Sequence, residues 1–335
     1  MTEPVVLASL SDGPLFGLPL EQIWFALLFV LLGMFLLLDG FDFGIGALFL
    51  TREDDHERET LLSAVGPFWD GNEVWLVVFG GAMFAAFPPV YANLFSRHYL
   101  LMFAILGSLI VRGLSPEMYE QREDDAWRRA WGLAFGVGSV LAPFFLGVFA
   151  GNWLLGADRI LTLGGVVVGL ALVALTIADG VAFLGLKTRG DLRTSLARYG
   201  VGAVGAYLGL VVVALAYIYL ATDLADALVS APALALVFLS VAFGVAYAWT
   251  TLTERYYVAF GSVAGLVFGL VALVGTLMYP QVDPATDLTL QSAIVSTLPL
   301  NLMTIVVVLL LPLVLLYFGV LYSVFGGEIE AGEAY

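Results

Sequence analysis

The sequence predicts an all-α polytopic membrane protein of about nine transmembrane helices, built as two four-helix bundles plus one peripheral helix. Three observations carry this prediction. The chain has 335 residues, 61% of them hydrophobic and only 12% charged, with a mean hydropathy of +0.98. Soluble domains average about 45–50% apolar and about 25% charged residues, so this chain could not cover its own surface in water. Apolar runs of about 20 residues, the length that crosses a bilayer core, recur along it. Finally, Asp39-Gly40-x-x-Phe43 returns as Asp179-Gly180-x-x-Phe183, four spans later. That repeat suggests two four-span halves followed by a ninth helix.

The spans fall near 21–49, 67–87, 89–113, 130–151, 160–186, 200–221, 232–250, 257–279 and 299–325. Span one is longer than a bilayer needs. It does not read as a signal peptide, because residues 1–20 lack a basic start and the apolar run is too long. Pro88-Pro89 separates spans two and three, since a proline pair ends one helix and suits the first turn of the next. The expected organisation is one integral membrane domain over 1–335: a first helical half to 155, a second over 156–280, then an outer loop and last helix over 281–335.

Orientation follows from the basic residues of the short loops. Arg52 and Arg58 follow span one, and Arg112, Arg122, Arg128 and Arg129 follow span three. Lys187, Arg189, Arg193 and Arg198 follow span five, and Arg255 follows span seven. Of the 13 basic residues, Arg97 and Arg159 alone fall on the other side. The N-terminus is therefore expected outside a plasma membrane and the C-terminus in the cytoplasm. The C-terminal tail, with Glu328, Glu330 and Glu333, adds no basic residue to this count.

The formal charge is -15, which excludes nucleic acid as a partner, since phosphates need a basic surface. There is no Cys, so Cys-ligated zinc, iron–sulfur clusters and disulfides are excluded. His56 and His98 are the two histidines, which leaves little room for haem ligation by this chain.

Most acids belong to solvated loops, but five interrupt apolar spans. Asp39 and Asp42 share a helix face in span one, Asp70 and Glu73 do so in span two, and Asp179 lies in span five. Five such acids facing lipid would cost on the order of 10 kcal/mol, so they must face protein, water or one another. No Lys or Arg is placed in the middle of any span to neutralise them. By this topology Asp39, Asp42, Asp70, Glu73 and Glu117, which follows span three, meet in the cytoplasmic half of spans one to three. Three readings stay open: a proton path, helix capping or polar packing, and a bound structural cation. Asp70, in a first turn, is the best capping candidate. Gly40, Gly44, Gly46 and Gly80-Gly81 are read as close-approach positions, and Gly200-Val201-Gly202-Ala203-Val204-Gly205 as helix packing rather than a dinucleotide site. Trp69, Trp75, Trp131, Trp153 and Trp249 are read mostly as an interfacial aromatic belt.

Several runs carry a resemblance. These are Asp39-Gly40-Phe41-Asp42-Phe43-Gly44-Ile45-Gly46, Pro67-Phe68-Trp69-Asp70-Gly71-Asn72-Glu73-Val74-Trp75-Leu76 and Gly80-Gly81-Ala82-Met83-Phe84-Ala85-Ala86-Phe87-Pro88. With Gly151-Asn152, Leu186-Lys187-Thr188-Arg189-Gly190-Asp191-Leu192 and Asn301-Leu302-Met303-Thr304, the chain resembles subunit II of the cytochrome bd quinol oxidases over nearly its whole length. The resemblance implies a two-chain core that oxidises quinol and reduces O₂ to water, joined in some members by small accessory subunits. It implies that haems b and d and the quinol-oxidation site lie in subunit I, while this chain, of similar nine-helix fold, supports that partner. It gives Asp70 a place on a proton path from the cytoplasm and Glu117 a place at its entry, with Asp39 and Asp42 nearby. Some members hold a quinone in subunit II, so a bound quinone is a candidate cofactor that the resemblance raises. Asp179 departs from the family pattern, where His or a neutral polar residue precedes the glycine, so the resemblance carries no proton role to it. The rival reading from residues alone is a proton- or cation-coupled transporter, which should fold and work without a haem partner. The acid-rich inner loop, and one Lys among 13 basic residues, suggest a salty habitat.

Overall fold

A computed structural model of the protein describes residues 10–329. Glu330, Glu333 and residues 1–9 of the expected outer N-terminus lie outside the described residues. After a 3₁₀ turn at Leu15–Gly17 comes α1, Leu20–Phe49. Its 30 residues make it longer than a bilayer needs, as its apolar run suggested. Helix α2, Asp55–Val65, occupies the acidic loop and is capped by Asp54, whose carboxylate accepts from the Glu57 N–H at 3.0 Å.

Helix α3, Trp69–Ala86, ends at Phe87, and Pro88 opens α4, Pro88–Arg97. The proline pair therefore separates α3 from a short helix, and the third span starts only at α5, Tyr99–Glu120. The expected single run over 89–113 is corrected on both counts. A break at His98 divides it, and the helix runs past 113 to Glu120, carrying Arg112 and Glu117 inside it. Pro116 lies inside that helix, in its last turns, without stopping it.

The remaining long helices are α6 (Asp125–Leu154), α7 (Leu163–Lys187) and α8 (Gly190–Ala221). Then come the short α9 (Ala225–Leu228), α10 (Ala231–Leu252) and α11 (Tyr256–Met278). A small hairpin of β1 (Gln281–Asp283) and β2 (Leu288–Thr289) precedes α12 (Leu290–Ala293) and α13 (Thr297–Val324). Asp124 caps α6 and Thr162 caps α7 through side-chain bonds to the third residue on. Eight of the described helices are long and apolar enough to cross a membrane. With α3, about 27 Å long at 1.5 Å per residue, they make the expected nine.

The first bundle is α1, α3, α5 and α6, and the second is α7, α8, α10 and α11, joined where α7 packs on both α6 and α1. Gly44 and Gly180 lie at the α1–α7 contact. Here backbones touch: a Cβ on Gly44 would overlap the Thr176 carbonyl, and one on Gly180 would reach the Gly44 backbone. Gly80 and Gly81, in contrast, face open space within this chain. Helix α13 is peripheral and pinned by few bonds. Trp24 Nε1 donates to Thr304 Oγ1 at 2.9 Å, and Asn301 Nδ2 donates to the carbonyls of Leu10 and Gly13. Two tryptophans expected in the interfacial belt, Trp75 and Trp153, are buried core side chains instead.

Candidate functional site

Arg112 is the centre of the site. Its guanidinium is buried inside the first bundle and lies 4.8 Å from the Phe43 ring centroid. The backbone of α5 can come this deep because α6 offers Gly138 there. A Cβ on Gly138 would stand 2.8 Å from Arg112 N and 2.9 Å from Ser108 O. Arg112 Nη1 donates to Glu73 Oε1 at 2.8 Å. Nη2 lies 2.9 Å from Asp39 Oδ1 and 3.5 Å from Asp42 Oδ2. This overturns the expectation that no cation stands within the spans. The hydropathy pattern broke at Arg112 and read it as loop, whereas three carboxyls surround it in the interior.

Asp39 and Asp42, three residues apart on α1, are both fully buried. Asn72, also buried, donates from Nδ2 to Asp42 Oδ2 at 2.9 Å. Tyr322 of α13 donates from its hydroxyl to Asn72 Oδ1 at 2.9 Å. Sequence reasoning missed Arg112, Asn72 and Tyr322 as members of this site. A signal for Asn72 was present, since a polar amide stands among the acids of span two.

Asp70 and Glu117 lie outside this inner group and are exposed. They line one side groove of about 640 Å³ together with Glu73, Trp69 and Gly113. A smaller cavity of about 220 Å³ leads from Glu117 and Glu120 past Pro116 to Arg112. Glu73, half-buried, therefore belongs to both zones, bonded to Arg112 and open to the groove. Asp70 sits in the first turn of α3, but no side-chain hydrogen bond caps that helix, whose N-cap position is Phe68. Among the described residues no cluster of His, Cys, Asp and Glu has a metal-holding arrangement.

At the opposite end, Arg97 forms a bidentate pair with the buried Asp283, at 3.0 and 3.1 Å, and a third contact with Asp158 at 3.3 Å. These bonds raise the Arg97 pKa. Thr286 donates to the same carboxylate at 2.6 Å, and Trp153 Nε1 donates to the Val282 carbonyl at 2.8 Å. This cluster clamps the β1–β2 hairpin to α4 and α6.

The two histidines stand far apart, at opposite ends of the molecule. His98 is buried at this end with its ring edge-on to Phe149, and burial lowers its pKa. His56 is exposed on α2 at the other end. Two apolar clefts are large enough for a hydrocarbon chain. One, of about 520 Å³, lies between α1, α3 and α13, against Leu31, Trp75, Met303 and Leu310. The other, of about 510 Å³, lies against Phe84, Phe95, Met102 and Phe149. Both are lined almost wholly by apolar side chains.

A family model described as cytochrome bd terminal oxidase subunit II matches residues 20–325. The chain is 31% identical to the cytochrome bd-I ubiquinol oxidase subunit 2 of Escherichia coli (strain K12), over 89% of this chain and 92% of that protein. It is 35% identical to the cytochrome bd ubiquinol oxidase subunit 2 of Bacillus subtilis (strain 168), over 52% of this chain and 55% of that protein. In fold it is similar to a chain of the bd oxidase from Geobacillus thermodenitrificans. The TM-score is 0.77 at 17% identity, over 92% of this chain and 99% of that one.

Proposed function

The chain belongs to the cytochrome bd terminal oxidase subunit II family, and on that premise we propose that it is the non-haem subunit of a quinol-oxidising, O₂-reducing complex. In this reading it supports the haem-bearing subunit I and carries protons toward it from the cytoplasm. The observation that carries the proton role is the double membership of Glu73. It shares an open groove with Asp70 and Glu117, and it is bonded to the buried Arg112 beside Asp39 and Asp42.

The chemistry follows from charge balance. One guanidinium faces three carboxyls, and a low-dielectric interior penalises uncompensated charge strongly. Arg112 stabilises one carboxylate at a time, and protons neutralise the others. A proton arriving at Glu73 from the groove can pass to Asp39 or Asp42 while the negative charge moves the other way, always beside the same cation. Asn72, fixed by Tyr322, holds the Asp42 carboxyl in place. Haem and quinol chemistry belong to the partner in this reading, and no step of them is assigned to this chain. In this reading the Glu117 end of the groove faces the cytoplasm, which the distribution of basic loop residues supports.

Asp70→Asn in the purified complex tests the role. Oxygen reduction should fall about 100-fold, within the range for a lost proton-transfer group, with the haem spectrum unchanged. Unchanged turnover would remove the conducting role. A pure, intact complex isolated through this chain and lacking haem absorption would remove the oxidase reading altogether.

A further inference from the structure

Asp179 and Asp39 occupy equivalent places in the two copies of Asp-Gly-x-x-Phe, yet the fold treats them differently. Asp39 faces Arg112. Asp179 is fully buried, and neither of its oxygens has a hydrogen-bond partner among the described residues. It sits where α7 crosses α1. One of its carboxyl oxygens stands 2.9 Å from where a Cβ on Gly40 would be. Gly40 lies on the turn of α1 that carries Asp39 and Asp42, so its missing side chain opens the space between Asp179 and that turn.

The groups around Asp179 supply no cation. From α1, Asp42 is the neighbouring acid, on the turn that Gly40 opens toward Asp179. From α10, Tyr247 is near but donates its hydroxyl to the Ala178 carbonyl at 2.7 Å. From α13, Tyr322 is also near, and its hydroxyl is donated to Asn72. Lys187, at the end of α7, directs its ammonium to the Phe325 carbonyl and over the Phe68 and Phe183 rings. Arg112 is already in contact with Asp39, Asp42 and Glu73. An ionised carboxylate with neither donor nor cation is among the costliest groups a membrane interior can hold. A bound proton removes that cost.

We propose that Asp179 is a second buried proton-binding position, holding a proton as the neutral acid and exchanging it with Asp42 across the α1–α7 crossing. In the exchange, the O–H bond of Asp179 breaks as an O–H bond forms on the Asp42 carboxylate, and the negative charge moves to Asp179. No other reactant is needed. The proposal extends the proton path described above, but its test does not depend on turnover.

The test is infrared spectroscopy of the purified oxidase complex in H₂O and D₂O, with the haem spectrum as the control for assembly. Wild type should show, at neutral pH, a carbonyl band of a protonated carboxylic acid that shifts in D₂O and with ¹³C-labelled aspartate. Asp179→Asn should lose the Asp179 share of that absorption, leaving the share of any protonated Asp39 or Asp42. Asp179→Glu should restore that share at a shifted frequency, and Asp42→Asn should displace it by removing the neighbouring carboxyl. Full band intensity in Asp179→Asn would overturn the proposal. So would a wild-type complex with no band sensitive to deuterium and labelled aspartate, a result that needs no variant to fold. A wild-type band that disappears on adding Na⁺ at constant pH would show a cation in place of the proton and also overturn it. Asp70→Asn turnover reports on the path separately, so the two readings can fail independently.

Discussion

The Arg112 guanidinium contacts Asp39 at 2.9 Å, from α5 to α1, with both side chains buried. This pair, with the Asp42 contact at 3.5 Å, joins two helices through charge in the buried interior. It also sets how many carboxylates the interior can hold ionised.

Removing that cation should be costly. Arg112→Leu leaves Asp39 and Asp42 without their counter-charge, and breaking a buried pair costs about 3–5 kcal/mol. The expected result is a large fall in the thermal midpoint of the complex, or failure to assemble, read from haem absorption. Adding Asp39→Asn to Arg112→Leu should recover part of the loss, because it removes one of the stranded charges.

The α1–α7 crossing predicts a contrast between two glycines. Gly44→Ala puts a methyl group into the Thr176 carbonyl and should destabilise by about 1–3 kcal/mol. Gly202→Ala on α8 meets open space and should be neutral or stabilising, by up to about 1 kcal/mol of helix propensity. Thermal unfolding of the two variants side by side distinguishes them.

At the hairpin end, Asp283→Ala strands Arg97, which keeps only its Asp158 contact at 3.3 Å. A loss of about 2–3 kcal/mol is expected, at the low end for a broken pair because Arg97 is not wholly buried and one partner remains. Limited proteolysis within 279–289 should accelerate first, since this pair ties the hairpin down.

His98 gives a pH dependence of definite sign. Burial lowers its pKa from 6.5, with Arg97 acting in the same direction and Asp158 and Asp283 opposing it. As pH falls below 6.5, the unfolded chain takes up a proton that the folded chain resists. Stability should therefore fall from that point and level off once pH passes below the folded value. His98→Phe should remove this part of the decline. Thermal midpoints between about pH 8 and pH 5 check it, and parallel curves for the two proteins would contradict it.

Much of the fold was legible because hydropathy acts locally: a run of apolar residues must cross the bilayer whatever its neighbours do. The first and last spans follow their apolar runs closely, at Leu20–Phe49 and Thr297–Val324. The same local rule misplaced the end of span three. Arg112 reads as a loop residue by hydropathy, and only three carboxyls arriving from α1 and α3 explain why it lies inside. The acids of spans one and two were visible as anomalies, and their division into an inner group and an exposed Asp70–Glu117 groove was not. Asp179 shows the same limit. Its sequence position marks a repeat, but its contact with the Gly40 turn exists only once α7 crosses α1. The sequence by itself thus determined a multi-pass membrane protein with acids in its spans, because apolar runs and buried-charge costs are properties of single segments. The tertiary structure decided which acid has a cation and which has none, because a counter-charge is a relation between segments distant in the chain.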